Sequence, residues 1–252
     1  MYLSCRFGHS QTVVGKSIYI FGGRSGVDEF EQCVDDLWKF DTENKKWTPI
    51  KATGTPPSAR SYHSSVSIGN SIYIFGGCAS DERKADLHKF DTDTNVWTKL
   101  ATSEAVGRGG TPLVVSPDQK AIYILGGFYG VEAEDIHKYD VDKDQWTKMD
   151  MKLPQALSVA LTFPIKDHIL LFGGELSPSN RGHAGAGNFS NLTRLFDKNM
   201  TSSEVAEGTG PIPRGWTAGG VWKKDFIVMV GGLTGDDENP ERLNDVWIGH
   251  LE

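Results

Sequence analysis

Cysteine is scarce in this chain. The three residues, Cys5, Cys33 and Cys78, are odd in number and irregular in spacing, so they suggest no disulfide framework and fit a reducing, cytoplasmic setting. No CxxC or Cys/His spacing points to structural zinc. No apolar run reaches the length of a membrane span, and no apolar leader opens the sequence. Basic excess is missing too. The formal net charge is −7, which argues against broad binding to nucleic acid or to an anionic membrane. There is no GxSxG elbow and no phosphate-cradling Gly-rich loop between a strand and a helix. The carboxylates recur as turn residues, so no glycosidase pair stands out. The sequons at Asn188 and Asn191 read as unmodified coincidences without a leader.

Glycine, by contrast, is abundant, with 29 residues in 252 and no collagen-like period, which implies many turns with positive φ. One unit recurs along the chain. Ser17-Ile18-Tyr19-Ile20-Phe21-Gly22-Gly23 is followed by Ser71–Gly77 and Ala121–Gly127, then by weaker copies at Ile169–Gly174 and Ile227–Gly232. The first glycines stand at 22, 76, 126, 173 and 231. A second element follows the early copies: Asp36-Leu37-Trp38-Lys39-Phe40-Asp41, Asp86–Asp91 and Asp135–Asp140. Its alternation suits half-buried strands. A short turn then leads to Trp47, Trp97 and Trp146, completing a hairpin. The fourth unit begins the same turn at Phe196-Asp197 without the tryptophan, and the fifth keeps Asn244–Ile248.

These repeats resemble the kelch family over essentially the full length, and the period near 50 residues agrees. The resemblance implies an all-β kelch-type β-propeller, residues 1–252 as one domain, with about five four-stranded blades. Each Gly-Gly pair should end an inner strand, and each tryptophan should fill the gap between neighbouring blades. The last unit runs out after its third strand. Three outcomes stay open: a three-stranded last blade, closure by Tyr2-Leu3, or a longer chain. An unpaired edge there would invite self-association.

Arg6, Arg60, Arg108 and Arg214 precede the first glycine of their units by 16, 16, 18 and 17 residues. The fourth unit has Ala156 or a neighbour in that place. Equivalent repeat positions would bring these guanidinium groups to one channel mouth, where they suit a carboxylate, phosphate or sulfate. Tyr62, Phe128 and Trp216 lie close by in sequence as apolar walls. The competing reading gives these arginines a packing role within the repeat. His9 and His63 share a repeat position, which suggests bonding to an adjacent blade. His88 and His137 read as surface or packing residues, Asp41, Asp91, Asp140 and Asp197 as Asx-turn residues, and Asp236-Asp237-Glu238 as a solvated loop.

The loop Gly173-Gly174-Glu175 through Gly187, with Pro213-Arg214-Gly215-Trp216, also resembles the plant nitrile-specifier, epithiospecifier and thiocyanate-forming proteins. That likeness implies Fe2+ held at Glu175, Ser179 and His183 and a lyase acting on glucosinolate-derived aglucones. The family's middle ligand is an aspartate, and a neutral serine is a poor substitute for it. The leading expectation is therefore a cytoplasmic binding module without a cofactor, recognising a protein segment or a small anion. The iron-dependent lyase is the alternative, and a structural propeller within an assembly is a third.

Overall fold

The computed structural model describes residues 3–25, 32–80, 82–205 and 210–251, apart from the side chain of His183. Tyr2, one of the residues expected to close the ring, lies outside them. The fold is an all-β, five-blade β-propeller. Among the described residues, no helix is long and apolar enough to cross a membrane.

The first blade is β1 (Ser10–Val14), β2 (Ser17–Phe21), β3 (Leu37–Asp41) and β4 (Lys46–Pro49), antiparallel and in chain order. A two-residue strand, β5 (Thr53–Gly54), runs parallel to the outer strand of the second blade. That blade is β6 (Ser64–Ile68), β7 (Ser71–Phe75), β8 (Leu87–Asp91) and β9 (Val96–Lys99). The third is β10 (Leu113–Val115), β11 (Ala121–Leu125), β12 (Ala133–Asp140) and β13 (Gln145–Leu157). The fourth is β14 (Leu161–Ile165) and β15 (His168–Phe172), an inserted ribbon of β16 (Glu175–Ser177) and β17 (Asn188–Phe189), then β18 (Thr193–Phe196) and β19 (Ser202–Glu204). The fifth has three strands, β20 (Ala218–Trp222), β21 (Phe226–Gly235) and β22 (Pro240–His250). Four strands per blade therefore holds for the first, third and fourth blades, while the second gains β5 and the fifth stops at three.

The chain divides into two compact units, residues 1–113 with 143–146, and residues 114–142 with 147–252. In the first unit, Trp97 packs edge-on against Phe21 and tilted against Phe90, so the outer-strand tryptophan does fill an interblade gap. Trp146 does the same against Phe75 and donates Nε1–H to Ala101 O at 2.7 Å. Three of the turn aspartates act as expected. Asp41 accepts the amides of Glu43 and Asn44, Asp91 those of Asp93 and Thr94, and Asp197 those of Asn199 and Thr201.

The Gly-Gly pair is where one blade grips the next. Gly76 has φ +66°, and a Cβ built there would sit 2.7 Å from Arg108 O. Neither a side chain nor a right-handed backbone fits that position. The second glycine then donates its amide to the same carbonyl: Gly77 to Arg108 O at 2.8 Å, as Gly23 does to Arg60 O and Gly174 to Arg214 O. Where the arginine is missing, Leu157 supplies the carbonyl for Gly127.

Candidate functional site

The recurring arginines are part of the scaffold. Arg60 donates Nε–H to Ser58 O, Nη1–H to Gly76 O at 2.9 Å, and both ends of its fork to Asp86 at 2.7 and 3.0 Å. Arg214 repeats this with Ile212 O, Gly231 O and Asp245, and Arg6 with Ser4 O, Gly22 O and Asp36. Arg108 donates Nε–H to Val106 O at 2.9 Å and, like Arg60 and Arg214, is only 1% exposed. Bidentate ion pairs of this kind hold the guanidinium against its own blade. The packing reading therefore accounts for Arg6, Arg60 and Arg214 as placed, and the free anion-binding ring does not.

The aspartate at this repeat position also accepts a ring N–H from two residues on in four blades. The donors are Trp38 to Asp36, His88 to Asp86, His137 to Asp135 and Trp247 to Asp245. His88 and His137 are buried, so the packing half of their expected role is correct and the surface half is not. Their strands turn these rings inward onto the aspartate. His63 bonds the preceding blade as expected, through Nε2 to Ser10 Oγ and Phe21 O. Burial and the Arg60 charge hold its pKa down to about 3.

Side chains that differ from blade to blade gather just beyond these fixtures. The residue after each Gly-Gly is Arg24, Cys78, Phe128, Glu175 or Leu233. Four of them exchange backbone bonds with the residue that follows the arginine position: Arg24 with Phe7, Cys78 with Ser61, Glu175 with Ser158 and Leu233 with Gly215. The next position along, Gly8, Tyr62, Gly110, Val159 and Trp216, has positive φ in every blade. For Tyr62 (φ 53°), Trp216 (φ 58°) and β-branched Val159 (φ 48°) this is an uncommon conformation that costs on the order of 1–3 kcal/mol. The amide of Tyr62 donates to Gly8 O, that of Gly110 to Tyr62 O and that of Trp216 to Val159 O. These bonds hold the strained loops in place.

In the first unit the Arg24 guanidinium lies 4.9 Å from the ring centres of both Phe7 and Tyr62 and donates Nη2–H to Tyr62 Oη at 3.0 Å. Aromatic faces on a partly buried arginine stabilise its charge without neutralising it. Beside it, the Cys33 thiol lies 3.7 Å from Ser61 Oγ and from Cys78 O. Burial pushes the Cys78 thiol up despite the nearby Arg83 and Arg24 charges.

In the second unit two buried carboxyls, Glu132 and Glu175, lie close enough for the charge of one to act on the other. Glu132 pairs through its backbone with Phe128 and accepts Ser158 Oγ–H at 3.4 Å. Glu175 accepts the amides of Gly187 and Ser179 and the Trp216 indole N–H. Burial, and next the Glu132 charge, raise Glu175 to about 7; burial raises Glu132 as well. Trp216 is substantially exposed on its strained loop.

Of the residues expected from sequence, Tyr62, Phe128 and Trp216 thus sit at the variable positions, whereas the arginines sit at fixed ones. Sequence reasoning missed Arg24 and Glu132. The available signal was that the residue after Gly-Gly changes chemistry from repeat to repeat.

The expected iron site does not assemble from the described side chains. Ser179 Oγ–H bonds Asp237, which also accepts the amide of Asn180. Asp237, in the loop expected to be merely solvated, ties that loop to residues 179–181. Glu175 is capped by three N–H donors and holds its proton to an unusually high pH. A proton-bearing carboxyl and a hydroxyl already committed to a carboxylate are a poor donor set for ferrous iron. His183 belongs to a 3-10 turn, Gly182–Ala184, and its side chain lies outside the described residues.

Comparison with known proteins agrees with the repeat architecture. A family model described as the KLHDC2/KLHL20/DRC7 Kelch-repeats domain matches residues 2–174. Kelch domain-containing protein 3 of Bos taurus is 36% identical over 99 residues, which is 38% of this chain and 25% of that protein. The Homo sapiens protein of the same name is 35% identical over 105 residues, 41% and 27% of the two chains. The Rho GTPase-activating protein gacHH of Dictyostelium discoideum is 31% identical over 131 residues, 49% of this chain and 8% of that one. The matched stretch thus spans about a quarter of the first relatives' length. Among solved structures, that of YjhT superposes with a TM-score of 0.77 at 16% identity, covering 97% of this chain and 84% of the other.

Proposed function

The chain belongs to the KLHDC2/KLHL20/DRC7 Kelch-repeats family, and we propose that it is an interaction module that recognises a protein segment through the loops following the Gly-Gly pairs. One observation carries this reading. The repeat fixes its arginines, aspartates and glycines in scaffold bonds, while the positions beside them carry a different chemistry in each blade and hold three large side chains in strained conformations. Strain retained where the scaffold does not need it points to a working surface.

The two units offer different chemistry. Arg24, between Phe7 and Tyr62, suits an acidic or carbonyl-rich group. Glu132 and Glu175, beside the exposed Trp216, suit a hydrogen-bond donor or a basic side chain with an apolar stem. A protein segment bearing either kind of group fits this pattern better than a small anion held by Arg6, Arg60, Arg108 and Arg214, because the guanidinium groups of Arg6, Arg60 and Arg214 are paired with aspartates. The specifier-like iron-dependent lyase has less support. It needs an ionised Glu175 free to bind metal, and Glu175 is bonded to Ser179, Gly187 and Trp216.

The test is selection from a random peptide display library, followed by affinity measurement on the enriched peptides. Arg24→Ala or Trp216→Ala should weaken binding of a given peptide at least about tenfold, as anchor residues buried by a partner do, with unchanged melting behaviour. Enriched peptides that bind both variants as well as the wild type would refute the proposal.

A further inference from the structure

The Glu175 carboxyl already accepts the amides of Ser179 and Gly187 and the indole N–H of Trp216. A partner can bond it only where some of these donors withdraw. Two of the three belong to one inserted segment.

That segment joins the second and third strands of the fourth blade, and all of it lies within the second compact unit. The connection runs from Phe172 to Thr193, whereas in the third blade it runs from Leu125 to Ala133. Little apolar surface holds it down. Between Leu176 and Phe189 the apolar side chains are Pro178, Ala184 and Ala186, and of these Ala186 alone is buried. The segment is fastened instead by a second carboxylate, from the turn joining β21 to β22. Asp237 accepts Ser179 Oγ–H, the Asn180 amide at 2.9 Å and the Ala186 amide, and its backbone carbonyl accepts Arg181 Nη1–H at 2.7 Å. Two glycines permit the close approach. A Cβ at Gly185 would collide with Ser179 Oγ and Asp237 Oδ1, and one at Gly187 with Ser177 O and Glu175 Oε1.

We infer that residues 179–187 form a strap that opens and closes over Glu175, with Asp237 as its latch. This rests on the reading of Glu175 as part of the recognition surface. A segment with few buried apolar contacts, held by polar bonds near solvent, lies at the low end of local stability, and elements of that kind serve as lids on binding sites. Opening withdraws the amides of Ser179 and Gly187 and leaves the carboxyl to the N–H donors of a partner. The Trp216 indole, from a separate segment, need not move.

The experiment compares the wild-type chain with Asp237→Ala in three measurements. The first is trypsin cleavage at the Arg181–Gly182 bond, followed by mass spectrometry. The second is labelling of Glu175 by a carbodiimide with glycine ethyl ester, and the third is thermal unfolding. Asp237→Ala should raise the rates of cleavage and labelling at least about tenfold, since several bonds to a charged group leave the local opening equilibrium. The melting midpoint should stay within about 2 °C. Unchanged cleavage would show that Asp237 is no latch. Faster cleavage with unchanged labelling would show that the strap does not gate Glu175. A midpoint lowered by more than about 5 °C would make the contact part of the scaffold. Any of these three results overturns the inference. None of the readouts needs a partner, so they stand or fall apart from the peptide test of the recognition surface.

Discussion

Arg60 grips Asp86 through both ends of its guanidinium fork, Nη1 to Oδ1 at 2.7 Å and Nη2 to Oδ2 at 3.0 Å, from a site 1% exposed. The pair ties the start of the second blade to its third strand, and the Arg60 carbonyl bonds the preceding blade at Gly23. Removing Arg60 leaves the largely buried Asp86 with only its bond from His88. Arg60→Ala should therefore destabilise the fold by about 3 kcal/mol, within the range for breaking a buried ion pair. The loss would be read as a lower urea midpoint, with Lys45→Ala, on an exposed turn, as a neutral control.

Acid should act on the same lattice in two stages. His63 is buried neutral with its pKa lowered to about 3, so the unfolded chain takes up a proton first, and stability declines as pH falls below about 6.5. Burial opposes the charge on Asp86, but bonds from His88 and Arg60 overcome it and its pKa is lowered. The bonds from Arg214 and Trp247 lower Asp245 to about 2. Their contribution is complete above about 4 and is lost as pH falls toward 2. Urea midpoints from pH 8 to 3 should show both stages, and His63→Asn should flatten the first.

Glu175 works in the opposite direction. Its folded pKa, raised to about 7, means that the folded chain holds a proton which the unfolded chain gives up near 4.5. Its contribution is present below about 4.5 and is lost as pH rises through 7. Glu175→Gln should remove this slope and make the variant relatively more stable at pH 8 than at pH 5. An unchanged slope would place the titration elsewhere.

Two glycine substitutions separate conformation from crowding. Gly69 has φ +54° with nothing within 4 Å of a built Cβ, so Gly69→Ala should cost about 1 kcal/mol. Gly76→Ala adds a collision with Arg108 O at 2.7 Å and should cost at least about twice as much. At Val159, where the native residue carries the strain, Val159→Gly should be neutral or should stabilise by up to about 1 kcal/mol. Chemical denaturation of the three variants checks the order.

The thiols should differ in reactivity. Cys5 is exposed, whereas burial raises the Cys78 thiol, and a smaller thiolate fraction reacts more slowly. Alkylation at pH 8 followed by peptide mass spectrometry should find Cys5 modified first and Cys78 late.

The sequence by itself determined the repeat, and with it the strands, the blade count, the Asx turns and the role of the outer tryptophans. All of these follow from local patterns, with glycine where positive φ is required and alternation where a strand is half-buried. The interblade bond of His63 was legible for the same reason, because it recurs. The roles of Arg6, Arg60 and Arg214 were not decided there. Spacing showed that they recur, but only the folded blade brings Asp36, Asp86 and Asp245, some 26 to 31 residues away in the chain, within reach of their forks. The effect of the Glu132 charge on Glu175 and the clamp on Arg24 likewise depend on which residues adjoin across blades. A propeller brings together residues a whole repeat apart, so burial and charge environment at those points come from packing between repeats and not from the pattern within one.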